Sequence, residues 1–206
     1  MIRVEELNLM QRDALKEIGN IGAGHAATAL AQLLRERINM TVPGVSIVPL
    51  SDLHKVLGGT EELVVGIYMK VFGDVPSKLI FLFRHNEAAM LVNMILGTTL
   101  KSVTDFSDFE ESVLREISNI MTGAYLNALG VLTDLNFLPS VPAYACDMSG
   151  ALLDAALLDG GVIDDYALLI ETSFSLINRE INSHFFLVPE PGALDAILTA
   201  LGVLGK

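Results

Sequence analysis

The sequence predicts an α/β (α+β) protein made of two copies of one unit that share a sheet, with two long helices packed on it. Three observations carry this expectation. A sixteen-residue motif recurs 99 residues further along, each copy lies in a long helical pattern of apolar residues, and each helix precedes three β-branched runs and a shorter helix. The motif is LKEIGNIGAGHAATAL at Leu15 to Leu30 and LREISNIMTGAYLNAL at Leu114 to Leu129. Each copy holds an Asn, Asn20 or Asn119, separated by 22 residues from a Pro, Pro43 or Pro142. Further on, Val56–Ile67 matches Leu157–Ile170 and Asn86–Gly97 matches Pro189–Gly202, with the offset drifting to 102 or 103. A small insertion near residues 150–160 accounts for the drift. The 206 residues therefore read as a single domain with repeats at approximately 8–97 and 107–203, joined by Thr98–Phe106.

The first helix is expected to start near Asn8 or Asp13 and to end at Thr41 to Pro43. Leu9, Met10, Ala14, Ile18, Ile21, Ala29, Leu30, Leu33 and Leu34 form its apolar face. The second starts at Ser107 or Asp108, with Glu110 and Glu111 placed to complement the helix dipole. Its apolar face runs through Val113, Ile117, Ile120 and Ala124. Strands are expected at 42–49, 63–72 and 78–83, and at 141–148, 167–177 and 182–188. The turn sequences GDVPSK and NRE make a hairpin of the last two strands in each half. Helices at 87–96 and 192–201 close the units.

Composition narrows the function. Twenty-five acidic residues against 13 basic give a net charge of −12, which excludes a nucleic-acid partner held by clustered cations. Hydrophobic residues at 51% supply a large core. No apolar tract reaches the ~18 residues needed to cross a bilayer, and no signal peptide is visible, so no membrane insertion is expected. A single Cys146 favours a reducing, cytoplasmic setting, and that residue reads as a small buried hydrophobe.

Asp13, Glu17 and Asn20 occupy one stripe of the first helix, and Ser112, Glu116 and Asn119 the same stripe of the second. A solvated face is the plain reading of such a stripe. A chemical reading is also open. One carboxylate and one amide are too few hard ligands for a metal, so none is expected here. An amide, however, can hold a water through both its C=O and its NH₂, and a carboxylate one turn away can pair with a cation on a substrate. Gly19, Gly22 and Gly24 beside Asn20, and Gly123 beyond Asn119, each cost about 1 kcal/mol in a helix. Close approach of the twin helix or of another protein would explain them.

The double pattern [D/S]-x3-E-x2-N-x22-P, met by Asp13, Glu17, Asn20 and Pro43 and again by Ser112, Glu116, Asn119 and Pro142, resembles the CheC family of the CheC/CheX/FliY chemotaxis phosphatases. The resemblance spans essentially the whole chain. It implies a hydrolase that removes the aspartyl-phosphate of the response regulator CheY. By that resemblance Asn20 and Asn119 orient the attacking water, and Glu17 and Glu116 pair with the regulator's Lys. Asp13, Ser112, Pro43 and Pro142 support them. The chain has no cofactor of its own, because Mg²⁺ belongs to the regulator. A second implied partner is the receptor deamidase CheD. Its contact falls in CDMSGALLDAALL, Cys146 to Leu158, with Asp147 as the candidate residue. The same stretch also reads as an amphipathic helix on the protein's own sheet. His25 stands where the family more often has Asn and reads as a bystander, and the change from Asp13 to Ser112 leaves room for unequal sites. The alternative is a non-catalytic CheD-binding adaptor. A flagellar switch component is disfavoured because such relatives carry a further C-terminal domain, and the internal duplication removes the obvious need for a second copy.

Overall fold

Two long helices of equal length lie side by side over one antiparallel sheet. The computed structural model describes residues 7–34, 39–97, 106–159, 165–176 and 179–203. In chain order the elements are α1 (Leu9–Leu34), β1 (Asn39–Thr41), β2 (Val45–Pro49), α2 (Leu53–Val56), β3 (Leu63–Gly73), β4 (Ser77–Arg84) and α3 (His85–Leu96), then α4 (Asp108–Thr133), β5 (Phe137–Pro139), β6 (Ala143–Met148), α5 (Ser149–Leu158), β7 (Tyr166–Leu176), β8 (Arg179–Pro189) and α6 (Ala193–Ala200). α1 and α4 begin and end 99 residues apart, as the repeated motif requires. Thirteen residues separate β2 from β3 but 17 separate β6 from β7, so the insertion is four residues long and falls around α5, which has 10 residues against four in α2.

The helix starts follow local chemistry. Asn8 Oδ1 accepts the Gln11 N–H at 3.0 Å and Gln11 Oε1 accepts the Asn8 N–H at 2.9 Å, a reciprocal cap for α1. Ser107 caps α4 in the same manner, its N–H donating to Glu110 Oε2 at 2.8 Å. Those bonds, led by the one from the Ser107 backbone, hold the Glu110 carboxyl below its usual range. The C-terminus of α1 departs from expectation: the helix stops at Leu34, and Asn39–Thr41 is instead a strand paired with β7 of the other half. Backbone pairing across the halves makes Asn39–Thr41 a strand where the end of the helix is expected.

The sheet order is β1-β7-β8-β4-β3-β5, with β2 beside β7 and β6 beside β3. Each unit thus gives its first two strands to the hairpin of the other unit, and β4 pairs with β8 at the centre. In that central pair Phe81 lies opposite Phe185, the rings stacked with centroids 4.4 Å apart. Side chains alternate across the sheet. Leu79, Phe81, Phe83, Ile170 and Phe185 meet the face covered by the long helices, where Leu15, Ile18, Leu30, Leu114, Ile117 and Leu129 are buried. Ile80, Leu82, Leu169 and Phe186 face the other way, under Leu53 and Leu57 and under Leu152, Leu153 and Ala156 of α5. Two expectations are corrected here. The α4 core face is turned slightly from the one read in the sequence, with Leu114 and Met121 buried and Val113 and Ile120 half-buried. Leu9 and Met10 are exposed, because the start of α1 is buried through Leu7 and Gln11 and these two residues stand on its other side.

Gly22 marks the close approach of the long helices. A Cβ placed there would stand 2.9 Å from the Tyr125 Cα, while Gly24 and Gly123 face open space. Replacing Gly22 by Ala is expected to lower stability, because a clash with backbone costs ~1–3 kcal/mol and outweighs about 1 kcal/mol of gained helix propensity. Gly24→Ala and Gly123→Ala should each raise it by up to about 1 kcal/mol. Urea unfolding midpoints at constant slope would report both signs.

Candidate active site

The two stripes lie on the outward sides of α1 and α4. Asp13, Glu17, Ser112, Glu116 and Asn119 are exposed, and Asn20 is half-buried. Three residues along a helix advance about 4.5 Å, so each Glu lies on the same surface as its Asn, close enough for both to touch one substrate. Among the described residues neither Glu17 nor Glu116 has a cationic partner. The neighbouring cation on α4 is turned elsewhere: Arg115 pairs with Glu111 at 3.1 Å and sits 5.5 Å over the Tyr144 ring, leaving Glu116 to face solvent. Burial, the largest influence on Tyr144, raises the pKa of its hydroxyl. The carboxylates are thus available to a cation brought by a visitor.

The amides differ between the copies. Asn20 Oδ1 accepts the Val42 N–H at 3.0 Å and its Nδ2 donates to the Lys16 carbonyl at 3.1 Å. In the first copy this bond uses the 22-residue spacing, since Pro43 confines Val42 to extended backbone and so aims its N–H. An amide has two acceptor lone pairs and two donors, so Asn20 retains one of each for a water while its orientation is fixed. Asn119 has no hydrogen-bond partner among the described residues. The difference begins at Gly19. Its missing Cβ lets Val42 pack down, the Val42 methyl lying 3.2 Å from where that atom would be, and Val42 is 4% exposed. The equivalent residue of α4 is Ser118, and Val141 stands 87% exposed. Pro43 is exposed and Pro142 half-buried. Sequence reading missed the Val42 tie, although the Gly19/Ser118 difference was its visible trace.

His25 is exposed on α1. Cys146, expected inside, is exposed, because β6 pairs only with β3 and most of its side chains remain uncovered. Asp147 is exposed on the same strand, its Oδ1 accepting the Met148 N–H at 2.7 Å. β6 and α5 flank a groove of about 290 Å³ lined by Ala143, Ala145, Ala151, Ala155, Asp147 and Asp159. α5 is anchored by the buried Lys78, whose Nζ donates to the Ala156 and Leu157 carbonyls at 3.3 and 2.7 Å, and by the Lys70–Asp159 pair at 3.0 Å. Burial, the first influence on Lys78, lowers the pKa of its ammonium group. Among the described residues no three His, Cys, Asp or Glu side chains gather as metal ligands, and no helix is long and apolar enough to cross a membrane.

A family model described as CheC-like matches residues 10–47 and 109–144, which enclose both stripes and both prolines. The chain is also 33% identical over 196 residues, 93% of its length, to the CheY-P phosphatase CheC of Bacillus subtilis, 94% of which is covered. It belongs to the CheC family. The flagellar motor switch phosphatase FliY of Bacillus subtilis is 27% identical over 175 residues, covering 84% of this chain and 44% of that protein. The crystal structure of Thermotoga maritima FliY shares the fold, with a TM-score of 0.77 at 18% identity over 96% of this chain and 98% of that one. Within this CheC family frame the two stripes differ energetically. Asn20→Ala should cost about 1 kcal/mol by orphaning the Val42 N–H, a fall of roughly 2–4 °C in melting temperature. Asn119→Ala should leave the melting temperature unchanged, and a thermal unfolding curve of each variant checks the contrast.

Proposed function

We propose that this CheC family member hydrolyses the aspartyl-phosphate of a CheY-type response regulator. The observation that carries the reading is the exposed Asn119 amide, free of partners among the described residues and one turn from the unpaired Glu116, repeated in Glu17 and Asn20 of the other half. In this reading Glu17 or Glu116 pairs with a lysine of the regulator and fixes the docking register. Asn20 or Asn119 holds a water by its C=O and NH₂, in line with the phosphorus–oxygen bond to be broken. Water adds to phosphorus, the aspartate carboxylate leaves, and inorganic phosphate is released. Catalysis is then alignment, with the reacting groups held within contact distance instead of meeting by chance. In this reading the Mg²⁺ is the regulator's own. Asp13 and Ser112 widen the polar margin of each stripe, while Pro43, through Val42, keeps Asn20 oriented.

The setting proposed for this activity is the cytoplasm, where the regulator is. CheD is the proposed second partner, at the surface formed by β6 and the outer side of α5. There Asp147, Ala151, Asp154, Ala155 and Leu158 are exposed, while Leu152, Leu153 and Ala156 hold the helix to the sheet. The helix thus serves both as a packing element and as the wall of a docking groove.

Two measurements test this. The double variant Asn20→Ala/Asn119→Ala should lose stimulated dephosphorylation, on the order of 10²-fold per site, while still binding the regulator. Decay of phosphorylated regulator at the parental rate in its presence would remove the catalytic assignment. Asp147→Ala should weaken capture of CheD on an affinity resin without changing turnover. A parental chain that captures CheD yet never accelerates phosphate loss would point to the adaptor role instead.

A further inference from the structure

Each stripe begins with a large apolar side chain left in water. Met10 is 67% exposed and Phe109 64% exposed. They are 99 residues apart, so they occupy the same place in the two units. Met10 precedes Asp13 by three residues, Glu17 by seven and Asn20 by ten, and Phe109 stands in the same relation to Ser112, Glu116 and Asn119. At 100° per residue these four positions fall on one side of the helix. Single exposed apolar residues are ordinary. A pair at equivalent positions, at the head of both polar stripes, is not scattered. Leu9 shows the difference: it is 76% exposed, but its counterpart is the charged Asp108.

We propose that Met10 and Phe109 are the apolar anchors by which the phosphorylated regulator docks, one on each stripe, an inference that rests on the phosphatase reading above. The helix acts as a ruler. Ten residues at 1.5 Å per residue place the anchor about 15 Å from the water-holding amide, so the regulator must offer an apolar pocket about that far from its acyl phosphate. The carboxylate of Glu17 or Glu116 lies between, and charge, apolar anchor and amide fix the docked orientation at separate points. Phe and Met are enriched in protein interfaces, where a few buried anchors carry most of the binding energy. Because they do not reach the reacting atoms, they are positioning residues whose loss weakens docking and leaves the chemical step intact.

The test uses the full chain and a CheY-type regulator, with each site isolated. Phe109→Ala is compared in an Asn20→Ala background, and Met10→Ala in an Asn119→Ala background. KM should rise about 10-fold for each with kcat unchanged, and Phe109→Leu and Met10→Leu, which keep apolar area, should restore KM. Unchanged KM in the Ala variants overturns the inference while leaving the phosphatase reading in place. So does an effect confined to melting temperature or to oligomeric state by light scattering, which would mean that the side chains serve the chain itself or a second copy. If the parental chain fails to accelerate phosphate loss, the phosphatase reading falls separately. Docking is then read directly by titrating regulator carrying beryllofluoride: about 10-fold weaker binding by the Ala variants supports the anchors, and equal binding overturns them.

Discussion

The close packing of α1 on α4 is the constraint on which the rest of this structure depends. Gly22 lets the helices approach until only backbone separates them at Tyr125. Tyr125 in turn meets the Phe185 ring edge-on, with centroids 5.1 Å apart, and Phe185 stacks on Phe81 across the central strand pair. Helix, helix and sheet are thus joined along one buried seam contributed by both repeats. Neither half can bury its apolar surface alone, because each sends its first two strands to the other's hairpin. With the inner faces committed to that seam, the polar stripes are left on the outside, supported by elements too tightly packed to yield.

The two halves present similar surfaces, and a few side chains make them unlike. Gly19 gives Val42 room to pack down and bond Asn20 in one copy, whereas Ser118 stands at the equivalent place in the other and Val141 is exposed. One copy has a pre-oriented amide with half its bonding capacity used, and the other an amide with no partner among the described residues. α5 is longer than α2, covers the second face of the sheet with Leu152, Leu153 and Ala156 and leaves a groove beside the exposed β6. Lys78, burying its ammonium beneath the carbonyl end of that helix, shows how firmly the added element is attached.

Much of this was readable before any coordinates. The repeated motif located both long helices, and the start of the second is read at Ser107 or Asp108, of which Ser107 is the cap, since capping is a local matter of one side chain and one nearby N–H. The strand runs fell close to their observed positions because alternation and β-branching are also local. The errors were of another kind. The first helix is expected to end at Thr41 to Pro43, yet Asn39–Thr41 pairs as a strand with residues more than a hundred positions away. Cys146 has the composition of a core residue but lies on a strand that the sheet leaves uncovered.

The order of residues alone marked two similar halves, the place of each long helix and the stripes that carry Glu and Asn, because helical spacing places side chains without reference to anything distant. Only the assembled tertiary structure decided that the units exchange strands, that Gly22 rests on the twin helix while Gly24 faces outward, and that Asn20 is tied where Asn119 is not. Those outcomes depend on which surfaces meet across the chain, and contact between distant segments leaves no periodic mark in the segments themselves.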